Sequence, residues 1–280
     1  MPYAMTNDGV KLYFEETGHG TPIVFVHELA GDYRSWETQL RYFGQRYRAI
    51  AYSARGYLPS DVPEDPAYYS QEIAANDIVS ILDHLSIEKS HVVGLSMGGF
   101  ATLHFAFRHS DRALSLTVAS CGTGAEKDRE AEFRKGLEQA VTELGTKGMT
   151  AFVERFAHGP TRVQFEKKDP RGFAQFKQEL SEHSATGSAN TLLGVLAKRP
   201  SLYDLVDEMN AIKTPTLLLA GDEDWPCLNP ALLMKRNIPT AALSVLPNCG
   251  HTLNLEAPDQ FNRLVGDFIA QMDCRAVAGT

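Results

Sequence analysis

His91-Val-Val-Gly94-Leu95-Ser96-Met97-Gly98-Gly99 runs from a short, almost continuous apolar stretch directly into a segment of helical length, Met97 to Arg108. A serine at such a junction, with glycine two positions to either side, marks a sharp strand-to-helix turn that exposes a nucleophile. The reason is steric. The serine sits in a strained conformation, and side chains at Gly94 and Gly98 would collide with it or its neighbours. The turn leaves the Ser96 hydroxyl above the sheet, beside free N–H groups at a helix N-terminus where developing negative charge is stabilised.

Apolar runs like the one before Ser96 recur along the chain: Pro22 to His27, Arg48 to Ser53, Ala113 to Ala119, Pro215 to Ala220 and Ala242 to Leu246. Runs of this length without alternation suit strands covered on both faces. Helix-length segments lie between them at Ser35 to Arg46 and Gln71 to Leu85, and a last one follows at Pro258 to Gln271. Near the N-terminus, Asn7-Asp8-Gly9 separates two strand-like runs, Tyr3 to Thr6 and Lys11 to Glu16, and predicts a hairpin. The pattern implies an α/β fold, a mostly parallel, doubly wound sheet with helices on both faces.

The alternation stops after Ser120 and resumes at Thr214. Between them Phe133, Leu137, Val141 and Leu144 recur at helical intervals, as do Phe152 and Phe156, then Phe173, Phe176 and Leu180. This predicts a helical insertion, residues 123–207, on a core built from 1–122 and 208–280. Such an aromatic stripe is most often the packed face of a helix; the alternative is that some rings line a pocket beneath the insertion. The final residues, Cys274 to Thr280, are expected to fray.

The 280 residues fit one α/β domain carrying an insertion. With 43% hydrophobic and 22% charged residues, the composition excludes disordered, collagenous and disulfide-scaffold classes. A net charge of -8 offers no general attraction to nucleic acid or anionic lipid. Cys121, Cys227, Cys249 and Cys274 are scattered, without the short spacing of metal or dithiol sites. Asp8, Lys11, Glu15 and Glu16 interrupt any N-terminal signal, and no run approaches a membrane span. The expectation is a cytoplasmic monomer or small homo-oligomer that handles a small molecule without cofactor, metal, nucleic acid or membrane.

A serine at its free pKa is a poor nucleophile; it needs a base, and the base needs a carboxylate to fix its tautomer. His251, in Cys249-Gly250-His251, follows the last strand and precedes a helix, so it can reach back over the sheet. The other histidines lack this setting. Three carboxylates, Asp222, Glu223 and Asp224, compete for the acid role just past the Thr216 to Ala220 strand. Asp224 is preferred because it lies furthest out on the loop, while the other two are better placed to cap or solvate the turn.

The order Ser96, Asp224, His251, with the glycine-flanked serine, resembles the α/β-hydrolase superfamily, in particular its helically capped esterases and enol-lactonases. His27-Glu28-Leu29-Ala30-Gly31 with Trp36 resembles that family's His-Gly-x-x-Gly segment, and Arg55-Gly56 with Ser60 its Arg-Gly-x-Gly-x-Ser loop. His251-Thr-Leu-Asn254-Leu-Glu256-Ala-Pro258 is similar to the His-x-x-Asn-x-Glu-x-Pro ending of the enol-lactonase and esterase group. The resemblance implies an ester- or lactone-cleaving serine hydrolase with a catalytic triad of Ser96, His251 and Asp224. It assigns an oxyanion hole to the backbone N–H groups of Leu29 and Met97, and a structural role to His27. Glu28, Trp225 and Leu253 are candidate pocket residues.

The departures from the pattern matter. Glu28 stands where the family usually has glycine, and Leu58 replaces a second glycine. Glu28 either turns outward or pairs with an arginine such as Arg34 or Arg55, or it borders the site and tunes substrate choice or water activation. Amide cleavage remains an alternative on the same residues. Carbon–carbon bond hydrolysis fits less well, because those enzymes typically have Trp after the histidine and a Gly-Pro oxyanion loop, where this chain has Thr252 and Ala30-Gly31. Haloalkane dehalogenases and epoxide hydrolases need an aspartate at Ser96. A receptor built on a hydrolase-like pocket is the reading from another class, and turnover discriminates it.

Overall fold

The computed structural model describes residues 2–278. Its strands are β1 (Tyr3–Met5), β2 (Lys11–Thr17), β3 (Pro22–Val26), β4 (Arg48–Tyr52), β5 (Ser90–Leu95), β6 (Ala113–Ala119), β7 (Thr216–Gly221) and β8 (Ala241–Leu246). They form one sheet in the order β1-β2-β4-β3-β5-β6-β7-β8. The hairpin strands β1 and β2 pair antiparallel, as do β2 and β4, and every other pairing is parallel. Gly9 closes the hairpin at φ +84°, a conformation that a side chain would strain. Each run read as a strand is one, its ends shifted by no more than one residue.

The helices are α1 (Glu37–Phe43), α2 (Gln71–His84), α3 (Met97–His109), α4 (Glu130–Ala157), α5 (Val163–Lys168), α6 (Pro170–Ser181), α7 (Ala185–Thr191), α8 (Val206–Ala211), α9 (Trp225–Asn237), α10 (Leu253–Glu256) and α11 (Pro258–Ala278). Two layers sandwich the sheet, and β3 shows why its sequence has no alternation. Ile23 and Phe25 point into the layer of Trp36, Phe43, Phe261 and Val265 from the α1 and α11 side. Val24 and Val26 point into the opposite layer with Ile78, Ile81, Phe100 and Leu103 of α2 and α3. With both faces dry, every position favours an apolar side chain.

α9 is absent from the sequence reading. Pro226 falls in its first turn, where a proline costs a helix nothing, while Pro230 lies inside the helix and leaves the Pro226 carbonyl without its i→i−4 donor. α11 continues past Cys274, where fraying was expected; Gly279 and Thr280 of that stretch lie outside the described residues.

Between β6 and β7 the chain forms helices only. Gly148, at φ +73°, interrupts α4, and a π-helical turn, Leu192–Leu196, extends α7. Phe165, Phe173, Phe176 and Leu180 pack together as the insertion's own core, which meets Leu29 and Met97 of the sheet loops. Leu202, Leu205 and Met209 pack instead into the α2–α3 layer. No described helix is long and apolar enough to cross a membrane.

Candidate active site

Ser96 sits between β5 and α3 at φ 54°, ψ −111°, a strained conformation. The neighbouring glycines are required by contact. A Cβ on Gly94 would lie 2.1 Å from the Gly98 carbonyl oxygen, and one on Gly98 would lie 2.0 Å from that of Val26. Both obstacles are backbone and cannot swing away. The Ser96 amide donates to Ala119 O at 2.8 Å, which ties the turn to β6.

His251 Nε2 lies 2.8 Å from Ser96 Oγ, and its Nδ1 lies 2.8 Å from Asp224 Oδ2. The residues that the sequence grouped therefore converge from loops after β5, β7 and β8, at the carboxyl edge of the sheet. Asp224 is fully buried, and of the three competing acids it alone meets the histidine. Asp222 accepts the Cys249 amide and Glu223 accepts from Gln164, so both brace the loops. Burial opposes ionisation of Asp224, but the charge and hydrogen bond of His251 outweigh it and hold its carboxyl below the usual range. Burial likewise disfavours the imidazolium, yet Asp224, with a smaller contribution from Glu28, raises the His251 pKa above its ordinary value.

The loop after β3 faces this group. His27 is buried; its Nε2 accepts the Ala54 amide at 2.9 Å, so Nδ1 carries the proton and donates to Glu28 O at 2.7 Å. Burial lowers its pKa to about 4, which keeps it neutral as a brace for the loop. Among the described residues, neither the Leu29 nor the Met97 backbone N–H donates to a protein acceptor. Leu29 and Met97 line, with Ser96 and His251, a cavity of about 610 Å³, large enough for a small organic ligand. Its far wall comes from the insertion, where Phe133, Leu137, Phe152 and Phe156 contribute apolar surface. The aromatic stripe therefore divides: these rings face the cavity, while Phe173 and Phe176 pack inside the insertion.

Glu28 also reaches the cavity, and it pairs with neither Arg34 nor Arg55. Arg34 is engaged by Asp32 and Glu182, and Arg55 by Asp8 and Asp77. Its partner is Arg162, just before α5 of the insertion, through bonds of 3.0 and 2.7 Å with both side chains 3% exposed. Burial resists ionisation of Glu28, but Arg162 and His251 prevail and hold its carboxyl below the usual range. The Arg162 guanidinium is also flanked by Phe156 and Phe176 at 4.9 and 5.1 Å.

Among the described residues, Asp224, Cys227 and His251 place one potential metal-ligating atom each within 4.8 Å of one another. Burial pushes the Cys227 thiol well above its usual pKa, and His251 Nδ1 is committed to Asp224.

Residues 21–258 match the family model described as alpha/beta hydrolase fold. The chain belongs to this family. This α/β hydrolase is 28% identical over 254 residues to 3-oxoadipate enol-lactonase 1 of Acinetobacter baylyi, covering 88% of each chain. It is 26% identical over 268 residues to the 2-hydroxy-6-oxo-6-phenylhexa-2,4-dienoate hydrolase of Comamonas testosteroni, covering 93% of this chain and 91% of that one. A thermophilic esterase from Thermogutta terrifontis, solved with malate bound, superposes with a TM-score of 0.86 at 25% identity, covering 96% of this chain and 98% of that one. Family and relatives support a hydrolase role in general.

Two expected pocket residues of this α/β hydrolase are elsewhere. Trp225 opens α9 and is 74% exposed, turned away from the cavity; its neighbour Pro226 lines the wall instead. Leu253 is fully buried with Trp36 and Phe261 in the α1–α11 layer, because the single turn α10 directs it beneath the histidine loop. Conversely, Arg162 escaped the sequence reading, since nothing local marks a partner 134 positions from Glu28. The Arg162 loop also holds the histidine: Thr161 O accepts the His251 amide at 2.9 Å. Glu256, within the quoted ending motif, accepts the Gly250 amide at 2.9 Å, a role its spacing could have suggested.

Proposed function

We propose that this α/β hydrolase cleaves a carboxylic ester or lactone of a small molecule through an acyl-enzyme on Ser96. His251 takes the hydroxyl proton as Ser96 attacks, Asp224 stabilises the resulting imidazolium, and the Leu29 and Met97 N–H groups receive the oxyanion. His251 then returns the proton to the leaving alcohol, and water repeats the sequence to free the acid. The observation that carries the reading is the pair of 2.8 Å contacts that join Ser96, His251 and Asp224 at the floor of the cavity. The enol-lactonase and esterase among its relatives favour oxygen leaving groups.

The test is turnover of 4-nitrophenyl esters and simple lactones, with Ser96→Ala as control. The variant should lose on the order of 10⁶ in kcat. Near-normal turnover by Ser96→Ala would refute the assignment. The dienoate hydrolase relative puts carbon–carbon bond cleavage second. A vinylogous diketone turned over faster than any ester would favour it.

A further inference from the structure

Among the described residues, the cavity wall contains a positive charge with no carboxylate paired to it. Arg129 and Arg155 line it too, but Arg129 lies 4.0 Å from Glu132 and Arg155 lies 2.6 Å from Glu143. Arg199 has no carboxylate within 4.0 Å among the described residues, although it is only partly exposed. Its guanidinium lies 3.7 Å from the Phe100 ring centroid and 5.6 Å from that of Phe133, and one N–H donates to Thr123 O. Arginine has five N–H donors, so most of the fork has no protein acceptor. Burial lowers its pKa to about 10, and no acidic side chain is among the groups that offset this.

We infer that Arg199 is the anchor for a carboxylate on the substrate, so that the preferred ester or lactone is itself an acid, with its charge a few bonds from the scissile carbonyl. This rests on the serine-hydrolase reading above and narrows its substrate class. The placement follows from α3. Phe100 lies four residues, a rise of ~6 Å, beyond Ser96, and its amide donates to Ser96 O at 3.0 Å. The guanidinium held against that ring lines the same cavity as Ser96. The Phe100 ring holds one side of the guanidinium at 3.7 Å, and a carboxylate in the plane of a planar fork can accept two parallel bonds from it. A partly desolvated, unpaired cation is costly, and an anionic ligand group relieves that cost on binding. Glu126, a half-buried acid of this wall, is bonded to Asn229 at 2.8 Å and forms no ion pair with Arg199.

The experiment compares the 4-nitrophenyl monoester of glutaric acid with 4-nitrophenyl pentanoate, acyl groups of similar length that differ in charge. Wild type should show a higher kcat/KM on the acid, with the advantage in KM. Arg199→Gln should lower that selectivity ratio on the order of 10- to 100-fold, the scale of a hydrogen bond to a charged group, and Arg199→Lys should fall between. A wild-type ratio at or below one overturns the inference, whether or not the variants fold. A ratio unchanged in Arg199→Gln, even with both rates reduced, also overturns it, since that is the result expected if Arg199 merely braces the Thr123 turn. Calorimetry of monomethyl glutarate on Ser96→Ala separates this from the hydrolase reading. Binding that disappears in Ser96→Ala/Arg199→Gln supports the anchor even if neither ester is turned over by wild type, and no binding overturns it.

Discussion

Replacing Arg162 by Met should destabilise the protein far more than one salt bridge usually suggests. Arg162 and Glu28 are each 3% exposed and joined by two hydrogen bonds of 3.0 and 2.7 Å, so removing the guanidinium leaves a carboxylate buried without a partner. Breaking such a pair from one side costs ~3–5 kcal/mol. For 280 residues at ~2.1 cal/mol/K each, the unfolding entropy is ~590 cal/mol/K, and the loss corresponds to a Tm lower by ~5–8 °C. Glu28→Gln/Arg162→Met removes both charges, so urea unfolding of the four-protein cycle should show the double variant more stable than the single losses summed, by more than ~1 kcal/mol.

The pair also sets a pH signature. The folded Glu28 pKa lies below its ordinary value, so its stabilising contribution is present above the unfolded carboxylate range and is lost as pH falls through the folded value. The gap between wild type and Arg162→Met should therefore narrow in acid. Additive losses in the cycle, or a gap that does not change with pH, would show that the pair contributes no coupling and that the reasoning is wrong.

Under the proposed serine-hydrolase mechanism the imidazole must be neutral to accept the serine proton, so the raised pKa of His251 should put the acid limb of kcat/KM above pH 6.5. Glu28→Gln removes one of the charges that raise it and should shift that limb toward lower pH; an unmoved limb in a pH–rate profile counts against the coupling. Gly98→Ala should cost ~3 kcal/mol or more, because its Cβ would meet Val26 O at 2.0 Å. Gly145→Ala, in α4 with nothing within 4 Å, should instead gain ~0.5–1 kcal/mol by urea denaturation. Trp225→Ala should leave stability within ~0.5 kcal/mol, since the ring is 74% exposed; a large fall in Tm would show that the ring packs.

The strands were legible because a strand dry on both faces must be apolar at every position, as Ile23 through Val26 show. The serine turn was legible because its steric demand falls on glycines two residues away, a purely local constraint that spacing records. The same holds for the hairpin at Gly9. α9 was not legible: Pro226 and Pro230 lower its local helix propensity, and what stabilises it is tertiary, the packing of Met234 onto the sheet layer beside β7 and β8.

What the chain determined alone is therefore the sheet, its order of local elements, and the candidate residues Ser96 and His251. Tertiary structure decided among Asp222, Glu223 and Asp224, because burial against His251 is a property of three loops meeting and not of any one of them. It assigned Arg162 to Glu28, kept Trp225 and Leu253 out of the cavity lining, and left Arg199 without a counter-charge among the described residues. Each of these depends on which side chains the fold brings within a few ångströms across tens of residues of sequence, 27 for Asp224 and His251 and 134 for Glu28 and Arg162. Charge pairing is short-ranged in space and has no period along the chain, so local pattern has nothing to record it.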